Sequence, residues 1–485
     1  MSSAIKGLKP EGVWRYFAEI SRIPRCSKHE AAISKHVLAT ARKLGLEAKA
    51  DSVGNVVVRK PASPGNQNFR RICLQGHLDM VCEKVAGNPH DFSRDPIELM
   101  RRGGLLTANG TTLGADNGIA VATCLAIMAD RGLEHGPLEF LFTVDEETGL
   151  TGANNLQPGF VESRILLNLD SEEEGALYVG CSGGRDTTGS WKLALEPAPS
   201  GSVALQVSVR GLRGGHSGLE IHKGRGNAVK ILARTLAPLV KMGARLAGIQ
   251  GGNKHNAIPR EAEATVWIPR KKLEEASAAV IDAGRMIGQE LAGVEPDLKI
   301  VSAPSPKARR GKVFQRSLQK KLLQTLTALP HGVMKMSADI PGLVETSTNL
   351  AVIRTEKKEV RIVTSQRSSV ASENDEISDV VRTVFEMGGA TALSSDGYPG
   401  WKPNMDSEIL RIARETYRSL TGKDPDVKAI HAGLECGIIG EKYPGMDMVS
   451  FGPTLEEVHT PEERIHIDAV ERYWAFLVAV LKRVR

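Results

Sequence analysis

Aromatic residues supply only 4% of this chain of 485 residues, too few for the stacking platforms that hold unpaired bases. An excess of charge is also missing. The 63 Lys and Arg against 57 Asp and Glu leave a net +6, and the densest basic cluster (Lys307, Arg309, Arg310, Lys312) lies in a Pro/Ser-rich stretch without aromatics. That cluster reads as a solvated loop, and no nucleic-acid partner is expected. Long apolar runs are absent too. The longest, Ile119 to Ala129 with Thr123 inside it, is 11 residues and cannot cross a bilayer, so no membrane partner is expected. Met1 to Pro10 contain no apolar h-region, and no secretory signal is read there. The six cysteines (Cys26, Cys73, Cys82, Cys124, Cys181, Cys436) include no C-x-x-C pair, which argues against a zinc–thiolate site or a disulfide framework. Six reduced, mostly buried thiols in a cytoplasmic protein are expected.

What remains, 41% hydrophobic and 25% charged residues, is the composition of a soluble globular protein, long enough for two or three units. Apolar residues at helical spacing between 10 and 48 predict two helices broken at Ile23-Pro24. Val56-Val57-Val58 and Ile72-Cys73-Leu74 read as short strands. A helix follows from Asn117 to about Arg131, with Asp116 as its N-cap. Phe140 to Val144 and Ile165 to Leu169 read as buried strands, giving the rhythm of an α/β sheet. Residues 176–215 are strand-like and Gly-rich, and 227–242 form an amphipathic helix. Ser394 to Gly400 resembles a linker, after which helix and strand return and end in an apolar helix from Ile467 to Leu481. The expected organisation is an α/β domain in two parts, residues 1–185 and 400–485, with an α+β domain inserted at 186–399.

The acids fall at particular places in this pattern. His77 and Asp79 follow the strand ending at Gln75-Gly76; Asp145, Glu146 and Glu147 follow Val144; Asp170 follows Leu169. Ligand sites of open α/β sheets lie beyond the carboxyl ends of strands. If the three strands are parallel and adjacent, Glu147, Asp170 and His77 meet at one rim, with Asp116 at a nearby helix start. Taken singly, H-x-D fits a surface turn, the glutamate pair fits a helix N-terminus, and Asp116 fits a cap. Taken together they concentrate negative charge, and no Lys or Arg stands within five residues after any of these strands, the first being Lys84. Bound cations are the economical answer, and imidazole mixed with carboxylate suits zinc or a related transition metal.

The segments Gly76-His77-Leu78-Asp79, Gly114-Ala115-Asp116-Asn117-Gly118, Asp145-Glu146-Glu147-Thr148-Gly149 and Asn168-Leu169-Asp170 resemble the dinuclear zinc peptidases of the aminoacylase and carboxypeptidase G type. Arg22-Ile23-Pro24-Arg25-Cys26-Ser27, Gly214-Gly215-His216-Ser217-Gly218, Gly342 to Ser347 and His431-Ala432-Gly433-Leu434-Glu435-Cys436-Gly437 are similar to the aminoacyl-histidine dipeptidase branch. The resemblance implies a mixed-sheet, dinuclear-metal peptidase domain with an inserted lid and dimerisation domain. It places one zinc (or manganese or cobalt) on His77 and Asp170, a second on Glu147 and His459, and Asp116 between them. Glu146 would be the general base and Asp79 the carboxylate that orients His77. His216 would stabilise the oxyanion, and Asn256, Arg367 and Gly433 would hold the substrate's carboxylate end. The expected activity is dipeptide hydrolysis, of Xaa-His including β-alanyl-histidine, by a homodimer joined through the lid. The alternative is an N-acyl-amino-acid deacylase of the same family.

Overall fold

The computed structural model describes residues 3–305 and 311–485; Lys307, Arg309 and Arg310 of the basic cluster lie outside the described residues. The chain forms two compact units. One comprises residues 1–180, 401–429 and 434–485, the other residues 181–400 and 430–433.

The first unit is built on an eight-stranded sheet, in the order Glu47–Ala50, Val56–Lys60, Leu138–Thr143, Ile72–His77, Ile165–Asn168, Asp447–Ser450, Ala176–Cys181, Asp426–Ile430. Its centre is parallel: Ile72–His77 lies between Leu138–Thr143 and Ile165–Asn168 and runs parallel to both. These strands are buried on every residue, as sheets covered on both faces are, and for that reason they read as unbroken apolar runs. The register sets Thr143 beside His77 and Asn168 beside Gln75, so the acids that follow each strand emerge at one edge. The two N-terminal helices run Glu11–Ile20 and Ala31–Lys43 on either side of the expected break.

A smaller four-stranded sheet, Leu455–Glu456, Arg464–His466, Leu105–Ala108 and Leu99–Arg102, was not legible in the sequence. It pairs Ile465 with Leu106 and so draws the loop 457–463 to the region just before Asp116.

The second unit is an antiparallel sheet of nine strands, running from Lys299–Pro304 at one edge to Thr391–Ser394 at the other. Helices Ala228–Lys241, Leu273–Glu290, Arg316–Ala328 and Ala371–Met387 pack apolar stripes on it around Val207, Leu232, Val266, Leu322 and Phe385. Asn227 starts the first of these helices as a true side-chain cap, accepting from the Val229 and Lys230 N–H groups. Ser394 to Gly400 is not a bare linker, since Ser395 and Tyr398 continue the pairing with the strand Gly183–Lys192. Among the described residues, no helix is long and apolar enough to cross a membrane.

The expectation of six reduced thiols is corrected. Cys26 and Cys82 form a disulfide with their Cα atoms 5.7 Å apart. They are 56 residues apart in the chain, and it is the parallel bridge of Cys26 with Met80 that brings them together. The other four cysteines are buried.

Phe385 is fully buried and meets Trp191 edge-on at 5.9 Å. Phe385→Ala is expected to destabilise the second unit by about 3–5 kcal/mol, read as a fall in its denaturant midpoint.

Candidate metal centre

Asp116 is the hinge of the site. Its peptide with Asn117 is cis, and both residues lie outside helical φ/ψ, so regular helix begins only after them. The side chain is not the helix cap expected from the sequence, because it caps nothing and faces two imidazoles instead. Oδ1 lies 3.2 Å from His77 Nε2, and Oδ2 lies 3.1 Å from His459 Nε2. His77 Nε2 is also 3.3 Å from Asp170 Oδ1, and His459 Nε2 is 2.9 Å from Glu147 Oε2. Two clusters, His77/Asp116/Asp170 and Asp116/Glu147/His459, therefore share one carboxylate, and the ligand atoms within each lie within 4.8 Å of one another.

Several elements hold these atoms in place. His77 Nδ1 is 3.3 Å from Asp79 Oδ1, the usual way of fixing an imidazole whose other nitrogen binds metal. Asp79 in turn accepts from the backbone N–H of Glu146 at 3.1 Å and of Glu147 at 3.2 Å, and from Ser27 Oγ at 2.8 Å. These bonds together with His77 outweigh burial and hold Asp79 at about 2. Asn117 ties two strand ends, its Oδ1 accepting from the His77 N–H and its Nδ2 donating to the Leu169 carbonyl. His459 and Glu457 sit at positive φ, 63° and 53°, a backbone region that costs non-glycine residues energy.

Three residues not assigned from the sequence complete the frame. Glu463, almost fully buried, accepts the N–H groups of Leu113, Gly114, Ala115 and Asp116 at 2.7–3.2 Å, fixing the turn that carries Asp116. Arg25, equally buried, donates to the carbonyls of Leu78, Asp79 and Gly114. It brings one fixed positive charge that a search near the strand ends alone could not find. Glu435 accepts from Gln75 Nε2 and Thr143 Oγ1, both at 2.6 Å, and burial pushes it up to about 7. Glu435 stands in a segment already singled out, but a carboxylate that serves backbone amides or neutral side chains leaves no spacing signature.

The electrostatics describe a site that lacks positive charge. Burial, then Asp170, Glu435 and Glu147, push Glu146 far above the ordinary carboxylate range against the pull of His77. Burial also raises Glu147 and Asp170. Hydrogen bonds to Asp116 and Glu147 lift His459 to about 11. Burial opposes protonation of His77, yet Asp170, Asp116 and Asp79 raise it well above 6.5. Buried Asp170 Oδ1 lacks a well-formed hydrogen bond. Two imidazoles and three carboxylates in overlapping clusters, with a buried carboxylate oxygen to spare, are a ligand set suited to divalent transition metals.

The remaining assigned residues belong to the second unit. His216 lies on the short strand Gly215–His216, paired with Ala257–Ile258, and the Asn256 carbonyl accepts from the Ser217 N–H. His216 Nδ1 accepts from the Gly218 and Leu219 N–H groups at 3.2 and 3.1 Å, which leaves the proton on Nε2. Burial and the Arg367 charge lower His216 to about 4, so the ring is neutral with Nε2–H available to donate. Arg367 is buried on the strand Glu359–Ser368, and Gly433 lies against Tyr398. His431 bonds Ser347 Oγ at 2.7 Å.

A parallel-centred sheet with this cluster of imidazoles and carboxylates at its carboxyl edge defines a class of protein. Residues 73–483 match peptidase family M20/M25/M40, and the chain belongs to that family. It is similar to the cytosol non-specific dipeptidase of Escherichia coli (strain K12), with 40% identity over 485 residues and 99% of each chain covered. The crystal structure of aminoacylhistidine dipeptidase from Vibrio alginolyticus matches with a TM-score of 0.93 at 41% identity, covering 100% of this chain and 98% of that one. The aminopeptidase PepT of Bacillus cereus ATCC 10987 shares the fold, with a TM-score of 0.56 at 18% identity over 98% of this chain and 99% of that one. The resemblance to the aminoacyl-histidine dipeptidase branch and the mixed α/β class are thereby borne out.

Burial holds three histidines of the second unit neutral: His216 and His331 at about 4, His431 at about 3. Unfolding restores them to about 6.5, so between these values the unfolded chain binds more protons. Stability of this unit is therefore greatest above pH 6.5 and falls on acidification toward pH 4. The expected result is a denaturant midpoint that drops across this window, with a shallower drop in His331→Gln.

Proposed function

We propose that the chain is a metal-dependent dipeptidase acting on unblocked dipeptides, Xaa-His including β-alanyl-histidine among them. The observation that carries this reading is the single carboxylate, Asp116, shared by two His–carboxylate clusters. One ion would sit with His77 and Asp170, the other with Glu147 and His459, and the donor set favours zinc, with manganese or cobalt accommodated. When bound, such a pair supplies Lewis acidity, lowering the pKa of an intervening water and polarising the scissile carbonyl.

The chain's own groups do the rest. Glu146, next to Glu147 at the same strand end, is suited to take a proton from the attacking water and return it to the leaving amine. Asp79 keeps His77 oriented and, through the backbone of Glu146 and Glu147, aligns base and ligand together. Neutral His216 donates from Nε2 to the carbonyl oxygen as it gains negative charge, a donation often worth a few kilocalories. Arg367, with Asn256 and Gly433, receives the substrate's terminal carboxylate, since a guanidinium fork matches both oxygens. The second unit would act as lid and as the surface through which two chains associate, in a cytoplasmic enzyme. These assignments rest on the family resemblance.

Glu146→Gln is expected to abolish turnover of Gly-His and β-alanyl-histidine while metal content, counted in the same sample, stays at the wild-type value. A variant with near-normal rate would remove Glu146 from the chemistry, and wild-type protein that cleaved N-acetyl amino acids but not dipeptides would move the activity to deacylation.

A further inference from the structure

We propose that Tyr398 is a positioning residue that holds the Arg367 guanidinium in the orientation that demands a free carboxylate on the substrate. The proposal rests on the reading of Arg367 as the carboxylate receptor and adds what sets its geometry.

Arg367 is only 6% exposed, and a guanidinium so buried is normally paired with an acid. Among the described residues no carboxylate lies within ion-pair distance of it, and its Nε has no hydrogen-bond partner. Its anchor is Nη1, which donates to the Tyr398 hydroxyl at 2.7 Å. The charge is felt nearby, since Arg367 contributes to keeping His216 and His431 neutral. A buried cation with no carboxylate at ion-pair distance and with donors to spare is built to receive an anion from outside the chain.

Tyr398 is fixed on the backbone side and on both sides of its ring. Its N–H donates to the Gly184 carbonyl at 2.9 Å, and the Gly184 N–H donates to the Tyr398 carbonyl at 3.0 Å. A Cβ at Gly184 would come within 2.6 Å of the Tyr398 hydroxyl, and one at Gly433 within 2.9 Å of its ring. Two glycines, one on each of two separate segments, thus clear the space the ring occupies. The phenol accepts one guanidinium proton and stops the planar group from rotating, so the remaining N–H groups converge on one place. Removing only the hydroxyl leaves the ring and the charge but frees that rotation, and the ordering cost then falls on substrate binding.

The test compares a dipeptide such as Gly-His with its C-terminal amide in wild type, Tyr398→Phe and Arg367→Met. Tyr398→Phe is expected to raise KM for the free dipeptide by about tenfold, the scale of one hydrogen bond to a charged group, with kcat little changed. Its kinetics on the amide should match wild type. Arg367→Met should abolish the preference for the free carboxylate altogether. Retention of that preference in Arg367→Met would overturn the carboxylate reading itself. If Arg367→Met loses it while Tyr398→Phe keeps the wild-type KM, or slows both substrates equally, the positioning role is wrong and the receptor reading stands.

Discussion

Two oxygens of one buried carboxylate face two imidazoles, and most of the first unit can be understood as the means of keeping them there. Asp116 cannot serve His77 and His459 from a regular helix. The chain therefore leaves helical geometry at residues 116 and 117, and the turn before them hangs from four hydrogen bonds to Glu463. The cost of collecting Asp79, Asp116, Glu146, Glu147 and Asp170 in one place is large in a medium poorer than water in screening charge. Arg25 offsets one charge. The ligand set leaves a natural place for two cations.

The scaffold delivers these groups by register and by long-range pairing. Three adjacent parallel strands bring His77, the 145–147 turn and Asp170 to one edge because their ends are level. The small sheet does the same for His459, joining residues 455–466 to residues 99–108. In the second unit, His216 has its tautomer set by two backbone N–H groups, and Arg367 has no acid at ion-pair distance and is anchored on Tyr398. Both donors are set by the fold itself, the preorganisation that the proposed roles require.

Much of this was legible in the sequence, for physical reasons. Strands buried on both faces are continuous apolar runs, and acids placed straight after them stand out, so His77, Asp116, Glu146, Glu147 and Asp170 could be proposed together. His459 could not, because its neighbour is set by strand pairing across more than three hundred residues of chain; only the family resemblance pointed to it. Glu463 and Arg25 serve backbone amides and carbonyls, which have no residue identity to match. Tyr398 lay in a Ser/Gly/Pro stretch that reads as a linker, although its backbone pairs with Gly184. The Cys26–Cys82 bridge was missed for the same reason as His459, since spacing does not reveal which distant segments meet.

The central claim is that Asp116 joins two cation sites into one, and it is tested most directly by counting metal. Zinc bound per chain would be measured for wild type and Asp116→Asn over a titration of free zinc. The account predicts two ions in wild type, and in the variant a weakening of both sites together, since each loses the same carboxylate. A single ion per wild-type chain, or an Asp116→Asn variant that binds two ions with unchanged affinity, would contradict it.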